Sequence, residues 1–272
     1  MLHLAQSLYR RSMARARREA VARRVRHIGM LGSPRGAVVH VGHHKVGTLW
    51  WGNILRSFAG HYALRFVELP DAQDRSADVY LFRHGRDFER ARFAGRPFRG
   101  THMIRDPRDV LVSGYFYHLW TEEAWANQPR DRYGGRTYRE ELNRRGRHDG
   151  LLLEMEYVCR RDQLRDMLSW DYSQPEFLEL KYEDVIADES GSFDRAFRHY
   201  GFRDREVRAA LDIVENVSFS RVSGRKVGEI GAATHLRSGR PGEWREHFTA
   251  DHLARWQELA GDALTRLGYD SP

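Results

Sequence analysis

The chain has 272 residues, 41% of them hydrophobic and 12% aromatic, which is enough for one large α/β domain or two small ones. No apolar run approaches the ~20 residues of a bilayer-spanning helix, residues 1–30 lack the continuous apolar core of a secretory signal, and the single cysteine, Cys159, excludes an internal disulfide. A cytoplasmic protein is expected. The net charge is +7, and residues 1–30 carry eight arginines against one acid, Glu19, so eight minus one accounts for all of it. The remainder is close to neutral, and the basic balance does not argue for nucleic-acid binding by the folded body.

Residues 1–30 read as one basic amphipathic helix, with Tyr9, Met13, Ala16 and Ala20 on one face, followed by Val21, Val25 and Ile28. Such a segment is an arm for an anionic membrane surface or a partner protein, a solvated helix lying on its own domain, or an Arg-rich presequence. Gly32 to Gly36 breaks it.

Ala37–Val41 reads as a buried strand. His40 to Trp51 follows as His-Val-Gly-His-His-Lys-Val-Gly-Thr-Leu-Trp-Trp, and Trp50–Phe58 has helical spacing. A strand that turns through Gly42 and Gly47 into a helix offers backbone N–H groups and a positive dipole end to an anion. Lys45 adds a full charge, Gly47 permits close backbone approach, and Thr48 offers a hydroxyl. The lysine precedes the glycine, so the stretch differs from the Gly-x-x-x-x-Gly-Lys-Ser/Thr nucleotide loop.

Leu64–Glu68 and Asp78–Phe82 read as strands, the second leading to Arg83-His84-Gly85-Arg86. Thr101–Ile104 is a fourth strand and ends at Arg105-Asp106-Pro107, where Asp106 caps and Pro107 starts a helix running from Val110 to Trp120. Residues 121–150 are polar and read as a mobile flap. Leu151–Trp170 is helical, Phe177–Lys181 a strand, and Ser192–Tyr200 and Arg205–Glu215 are helices. Residues 223–246 read as a long loop, and Thr249–Leu267 as one closing helix capped by Thr249. Strands alternating with helices imply a mostly parallel sheet with ligands at the C-terminal strand ends.

Three separated stretches then agree: Lys45-Val-Gly-Thr-Leu-Trp50, Arg105-Asp-Pro-Arg-Asp-Val-Leu-Val-Ser113, and Arg237-Ser-Gly239-Arg-Pro-Gly242-Glu-Trp244 continuing to Thr249. Together they resemble the cofactor-binding segments of the sulfotransferases that use 3′-phosphoadenosine 5′-phosphosulfate (PAPS). Tyr182-Glu183-Asp184 after a strand matches a further family feature, and the resemblance runs from about Ala37 to Tyr269. It implies a single P-loop-like three-layer α/β domain over residues 37–272, with the basic helix ahead of it. PAPS would be the donor, 3′,5′-adenosine bisphosphate (PAP) the product, and no metal is required.

A donor with a 5′-phosphosulfate and a 3′-phosphate needs two anion sites. Lys45, Val46, Gly47, Thr48 and Leu49 suit the first, with the helix N–H groups. Arg105 at a strand end and Ser113 on the next helix can converge on the second. By resemblance, Arg237, Ser238 and Gly239 also hold the 3′-phosphate; the family's usual Arg-Lys-Gly is here Arg-Ser-Gly, with Arg240 a substitute cation. Trp50 and Phe219 match adenine-enclosing aromatics and Tyr182 a polar contact to the base, whereas Trp51 reads as core.

Sulfuryl transfer needs an in-line arrangement, a cation at the leaving group and a base for the acceptor. Lys45 is the leaving-group cation, with Ser113 beside it in the catalytic set. His84, 21 residues before Arg105, takes the position of the family's histidine base, although Phe-Arg-His-Gly-Arg departs from the usual Lys-Thr-His-Leu-Pro. His102 and Glu68 are the alternatives, and His43 and His44 flank the cradle. The acceptor is a small molecule or glycan presenting a hydroxyl or amine. Arg86, Arg90, Arg92, Arg130, Arg132 and Arg136 either favour an acidic or sugar acceptor or form a solvated surface. The competing readings are a nucleotide-dependent kinase, a catalytically inactive nucleotide-binding protein, and an adaptor docking through residues 1–30. The sequence sets no oligomeric state.

Overall fold

The computed structural model describes residues 36–69, 76–160, 162–217 and 238–269. The expected basic helix over residues 1–30 lies outside the described residues, as do Phe219 and Arg237. Five parallel strands form one sheet: β1 (Ala37–Val41), β2 (Phe66–Leu69), β3 (Val79–Phe82), β4 (Phe98–Ile104) and β5 (Phe177–Lys181), in the order β2-β3-β1-β4-β5. Every residue of β1 and β3 is buried, as befits strands covered on both faces. The register sets Val41 against Phe82 on one side and His102 on the other. The chain reverses direction across the sheet around β1, and the crevice at such a switch is where parallel α/β sheets bind ligands.

Helix α1 (Thr48–His61) follows β1 and puts Trp51, Ile54, Leu55 and Phe58 onto one sheet face. There they meet Phe193 and Phe197 of α7 (Glu189–His199) and Val207, Ala210 and Val214 of α8 (Asp204–Asn216). The opposite face carries Val39, Val41, Tyr80, Phe82 and Phe98 beneath Phe93, Trp170 and Phe177. A third cluster joins α2 (Pro107–His118), α3 (Tyr138–Arg144), α4 (Arg147–Arg160) and α5 (Asp162–Leu168) to α9 (Ala250–Ala260) and α10 (Ala263–Arg266). The short α6 (Tyr182–Ala187) leaves β5 directly. The expected mostly parallel three-layer sheet is therefore present. No helix among the described residues is long and apolar enough to cross a membrane.

Several boundaries differ from the sequence reading. β4 begins at Phe98, three residues early, running through Gly100, where a Cβ would stand 2.3 Å from the Phe177 ring. That glycine is a close-approach residue within a strand, not a break. Residues 121–150 are not a mobile flap. Thr137 and Glu140 form a capping box at the start of α3, and Tyr138 and Leu142 are buried against Leu151 and Met155. Three arginines there serve one buried acid: Arg136, Arg144 and Arg145 all hold Glu141. The expected single closing helix is interrupted at Gly261, whose φ of 54° ends α9, and Thr249 stands at its N-cap as expected.

Trp51 is fully buried, stacked on His40 at 4.9 Å and on Phe193 at 4.3 Å, and its Nε1 donates to the Tyr200 hydroxyl. Trp51→Ala should therefore cost about 3–5 kcal/mol of folding stability, read by urea denaturation. A loss below about 1 kcal/mol would show that α1 is not anchored by this side chain.

Candidate functional site

The chain after β1 turns sharply through the cradle into α1. Gly42 N–H donates to Phe82 O and continues the β1–β3 ladder. The chain then turns through Lys45 (φ 60°) and Gly47 (φ 94°). A left-handed lysine is strained, and such strain collects at functional loops. Gly47 stands at the N-cap of α1 with no side-chain cap, and the first turn carries no acid, so the helix N–H groups and dipole meet no competing carboxylate there. The Lys45 ammonium lies 4.4 Å from the Tyr117 ring centroid, and Thr48 Oγ1 donates to His43 O. Val46 is buried, while Leu49 is 48% exposed. Trp50 is half-buried, edge-on to Phe193 at 5.4 Å, and packs against the core cluster of α1.

Arg105 leaves the end of β4 only 5% exposed. Its guanidinium lies over the Tyr182 ring at 4.5 Å and makes long hydrogen bonds to Lys45 O (3.3 Å) and Arg240 O (3.4 Å). Asp109 is 3.9 Å away but accepts instead from Gly242 N–H and Trp244 N–H. Asp106 is committed to Arg108 and caps α2 through Arg108 N–H, so it does not neutralise Arg105. Arg105 Nε is buried with no hydrogen-bond partner. A buried cation with such loose partners suits an anionic ligand. Ser113, two helical turns along α2, is half-buried.

Tyr182 joins the segments: its ring covers Gly47 and Arg105, and its hydroxyl donates to Gly239 O. Ser238 was expected to face a phosphate, but its hydroxyl is buried and donates to Glu243 at 2.6 Å. Arg240, the expected substitute cation, pairs with Glu246 at 2.5 Å. Arg108 lies under Trp244 at 3.9 Å and helps hold this segment.

The candidate bases separate clearly. His84 is half-buried just after β3, and the parallel register brings it to the sheet edge that carries the cradle. Burial, and then the charge of Arg86, lower its pKa below the ordinary histidine value, which keeps the imidazole neutral and able to accept a proton. Glu68 is held by Arg56 and Arg83 at 2.7 and 2.5 Å, which occupies its oxygens and argues against a role as base. His102 is fully buried, its pKa lowered to about 3 by burial, and does not reach a solvent-facing edge of the sheet. Arg90 and Arg136, suggested for an acidic acceptor, pair with Glu176 and Glu141, which favours the solvated-surface reading for both.

The sequence did not reveal a buried chain of four groups. Asp166 Oδ2 meets His43 Nδ1 at 2.8 Å, His43 Nε2 meets His102 Nε2 at 2.8 Å, and His102 Nδ1 meets Glu179 Oε2 at 2.5 Å. Asp166 also accepts from Gly85 N–H (3.0 Å) and Arg86 N–H (2.6 Å), the two residues after His84. A second imidazole, His118, shares its Nδ1 between both Glu154 oxygens at 2.9 Å and stacks on His44. These partners are 36 to 123 residues apart, and no motif links them.

The sulfotransferase domain profile matches residues 98–268, well over half of the chain. Human sulfotransferase 2A1 is 23% identical over 231 residues, covering 78% of this chain and 70% of that protein. Rat sulfotransferase 2A2 is 29% identical over 160 residues, covering 54% and 50%. Among solved structures, mouse sulfotransferase SULT7A1 complexed with PAP superposes with a TM-score of 0.59 at 14% identity, covering 85% of this chain and 84% of that one. Retinol dehydratase, in complex with androsterone and PAP, gives 0.53 at 14% identity over 91% and 85%. The chain belongs to the sulfotransferase domain family and is a sulfuryl-transferring enzyme.

Proposed function

We propose that the enzyme uses PAPS as donor and transfers its sulfuryl group to the hydroxyl, or amine, of a small-molecule or glycan acceptor by in-line attack. The observation that carries the donor assignment is Arg105: a nearly buried guanidinium with an orphaned Nε and a distant ion pair, Asp109 at 3.9 Å, at the end of the strand beside the cradle. With the open α1 N-terminus it supplies two separate anion sites, as a nucleotide phosphorylated at both 3′ and 5′ positions requires. That the solved neighbours hold PAP supports the same reading.

Bound donor supplies an activated sulfuryl group and a phosphate leaving group. Lys45 and the N–H groups of Gly47, Thr48 and Leu49 hold the 5′ end, and the ammonium offsets the charge that develops on the departing oxygen. Arg105, Ser113, Arg237 and Gly239 hold the 3′-phosphate. Trp50 and Phe219 flank the adenine, with Tyr182 fixing the relation between the two anion sites. Val46 fills the core beneath the cradle. His84 accepts the acceptor's proton on a neutral imidazole nitrogen. A cytoplasmic site of action fits the single cysteine, whose thiol is pushed up to about 12 by burial.

Calorimetry on the purified chain without magnesium tests the donor. PAP should bind at micromolar Kd and ADP much more weakly, and Arg105→Ala should weaken PAP binding roughly 10- to 100-fold, the weight of a lost charged contact. Equal binding of PAP and ADP would remove the two-anion reading. Lys45→Ala should lower turnover about 10²- to 10³-fold while the fold persists, as circular dichroism would report; near-normal turnover would end its leaving-group role. His84→Ala should lower kcat about 10²-fold or more with PAP affinity within about twofold of wild type. Retained activity would move the base to another group.

A further inference from the structure

Four hydrogen-bonded groups lie beside the His84 segment, three of them buried and the fourth partly exposed. Their order is Asp166 on α5, His43 in the cradle, His102 on β4 and Glu179 on β5. We infer that they form a chain of positioning residues that holds the His84 segment and the cradle together, complete only while it carries three protons and open to solvent at Glu179. The inference rests on the reading of His84 as base.

The proton count follows from the contacts. Three hydrogen bonds join four groups, so each needs one hydrogen, whichever atoms carry them. Burial lowers the pKa of both histidines, which favours two neutral imidazoles. The arrangement is then Glu179 O–H to His102 Nδ1, His102 Nε2–H to His43 Nε2, and His43 Nδ1–H to Asp166. Asp166 is the ionised end. Burial opposes its charge, but the His43 N–H and the Arg86 backbone N–H outweigh that and lower its pKa. Glu179 is the protonated end: burial raises its pKa to about 7 against the Trp170 N–H, which donates to Oε1.

Both ends are suitably placed. The Glu179 side chain is 32% exposed on the edge strand of the sheet, and can release its proton to water. The groups facing it are His102 from β4, Trp170, Asp171 and Tyr172 from the segment after α5, and the charge of His43 from the cradle. At the other end Asp166 grips the N–H groups of Gly85 and Arg86, and a Cβ on Gly85 would stand 2.9 Å from His43 Cε1. The base segment and the cradle thus meet at Asp166 and His43. When Glu179 ionises, the chain holds two protons for three bonds. Asp166 keeps its proton donor, so two bare nitrogens face each other between His43 and His102, or a bare nitrogen faces the Glu179 carboxylate. Either way His43 or His102 shifts, and the hold on residues 84–86 loosens.

Glu179→Gln isolates this effect. Its amide N–H replaces the acid hydrogen toward His102, and its carbonyl still accepts from Trp170. Amide hydrogen exchange, corrected for its intrinsic pH dependence, is read at Gly85 and Arg86 in the full chain at about pH 6 and about pH 8. Wild type should lose roughly tenfold protection at the higher pH, and Glu179→Gln should lose none. Stability gives a second readout. The folded chain holds the Glu179 proton more tightly than the unfolded chain. The stabilisation is therefore full below the ordinary glutamate value of 4.5 and is lost as pH rises through about 7. Glu179→Gln should lack that fall in Tm. Should Glu179→Gln fail to fold, Trp170→Phe removes the N–H that lowers the Glu179 pKa and should move the wild-type midpoint upward. Equal pH dependence in wild type and Glu179→Gln, or an unmoved midpoint in Trp170→Phe, overturns the inference. Neither readout needs turnover, so a failure of the His84 assignment would appear separately, as retained activity in His84→Ala.

Discussion

The site depends on a guanidinium buried at a sheet edge without an adequate counterion. Arg105 leaves water for a position where its carboxylate neighbour, Asp109, is 3.9 Å away and already accepting two backbone N–H groups. Taking such a charge out of water costs several kcal/mol, and two long carbonyl contacts and one aromatic face offset only part of that. The fold holds the cation there because its neighbours are fixed for other reasons. Lys45 O belongs to the strained turn of the cradle, Arg240 O to a segment pinned by Asp109, and Tyr182 to the start of α6. Three chain segments far apart in sequence therefore converge on one charge, and an anion placed among them would complete the pairing.

The parallel register makes this convergence possible. β1 lies between β3 and β4, so the cradle, the His84 segment and Arg105 leave adjacent strands in the same direction. Each side chain is then set by local rules. Pro107 and Asp106 start α2 immediately after Arg105, which fixes the strand end, and Gly47 supplies the left-handed residue that turns the cradle into α1. The same register buries His40 and Thr101 as a hydrogen-bonded pair at 2.8 Å in the middle of the sheet, where an apolar pair would otherwise be expected. Thr101 Oγ1 also meets the Tyr200 hydroxyl, which receives Trp51 Nε1–H, so the sheet centre and the α1 face are joined by one network, although His40 Nε2 is buried without a partner.

What the sequence disclosed and what it concealed divide along chain distance. The turn through Gly47, the helix start at Asp106 and Pro107 and the strand–helix alternation were legible because each is a pattern set by neighbouring residues. Residues 121–150 were misread because their arginines look solvated in sequence, whereas three of them neutralise the buried Glu141, and Tyr138 reaches Glu154. Burial of charge by a partner is a tertiary fact. Ser238 illustrates the converse: its place in a recognisable segment suggested a phosphate contact, but Glu243, five residues on, takes its hydroxyl. The chain from Asp166 to Glu179 had no local signature at all, since its links span 123, 59 and 77 residues.

The buried histidines also bear on why His84, rather than another imidazole, is the proposed base. His43, His102 and His118 each have a carboxylate at hydrogen-bond distance, which fixes a ring orientation. Yet His43 and His102 spend their second nitrogen on each other, so neither has a lone pair to offer a substrate. His84 has the opposite character: half-buried, at the start of a short turn, with its backbone segment gripped by Asp166 rather than its ring. A base needs a nitrogen open to the acceptor and a ring whose position is set from behind. Asp166 holds the segment through the backbone N–H groups of Gly85 and Arg86, which would provide the second without occupying the first if His84 is the base.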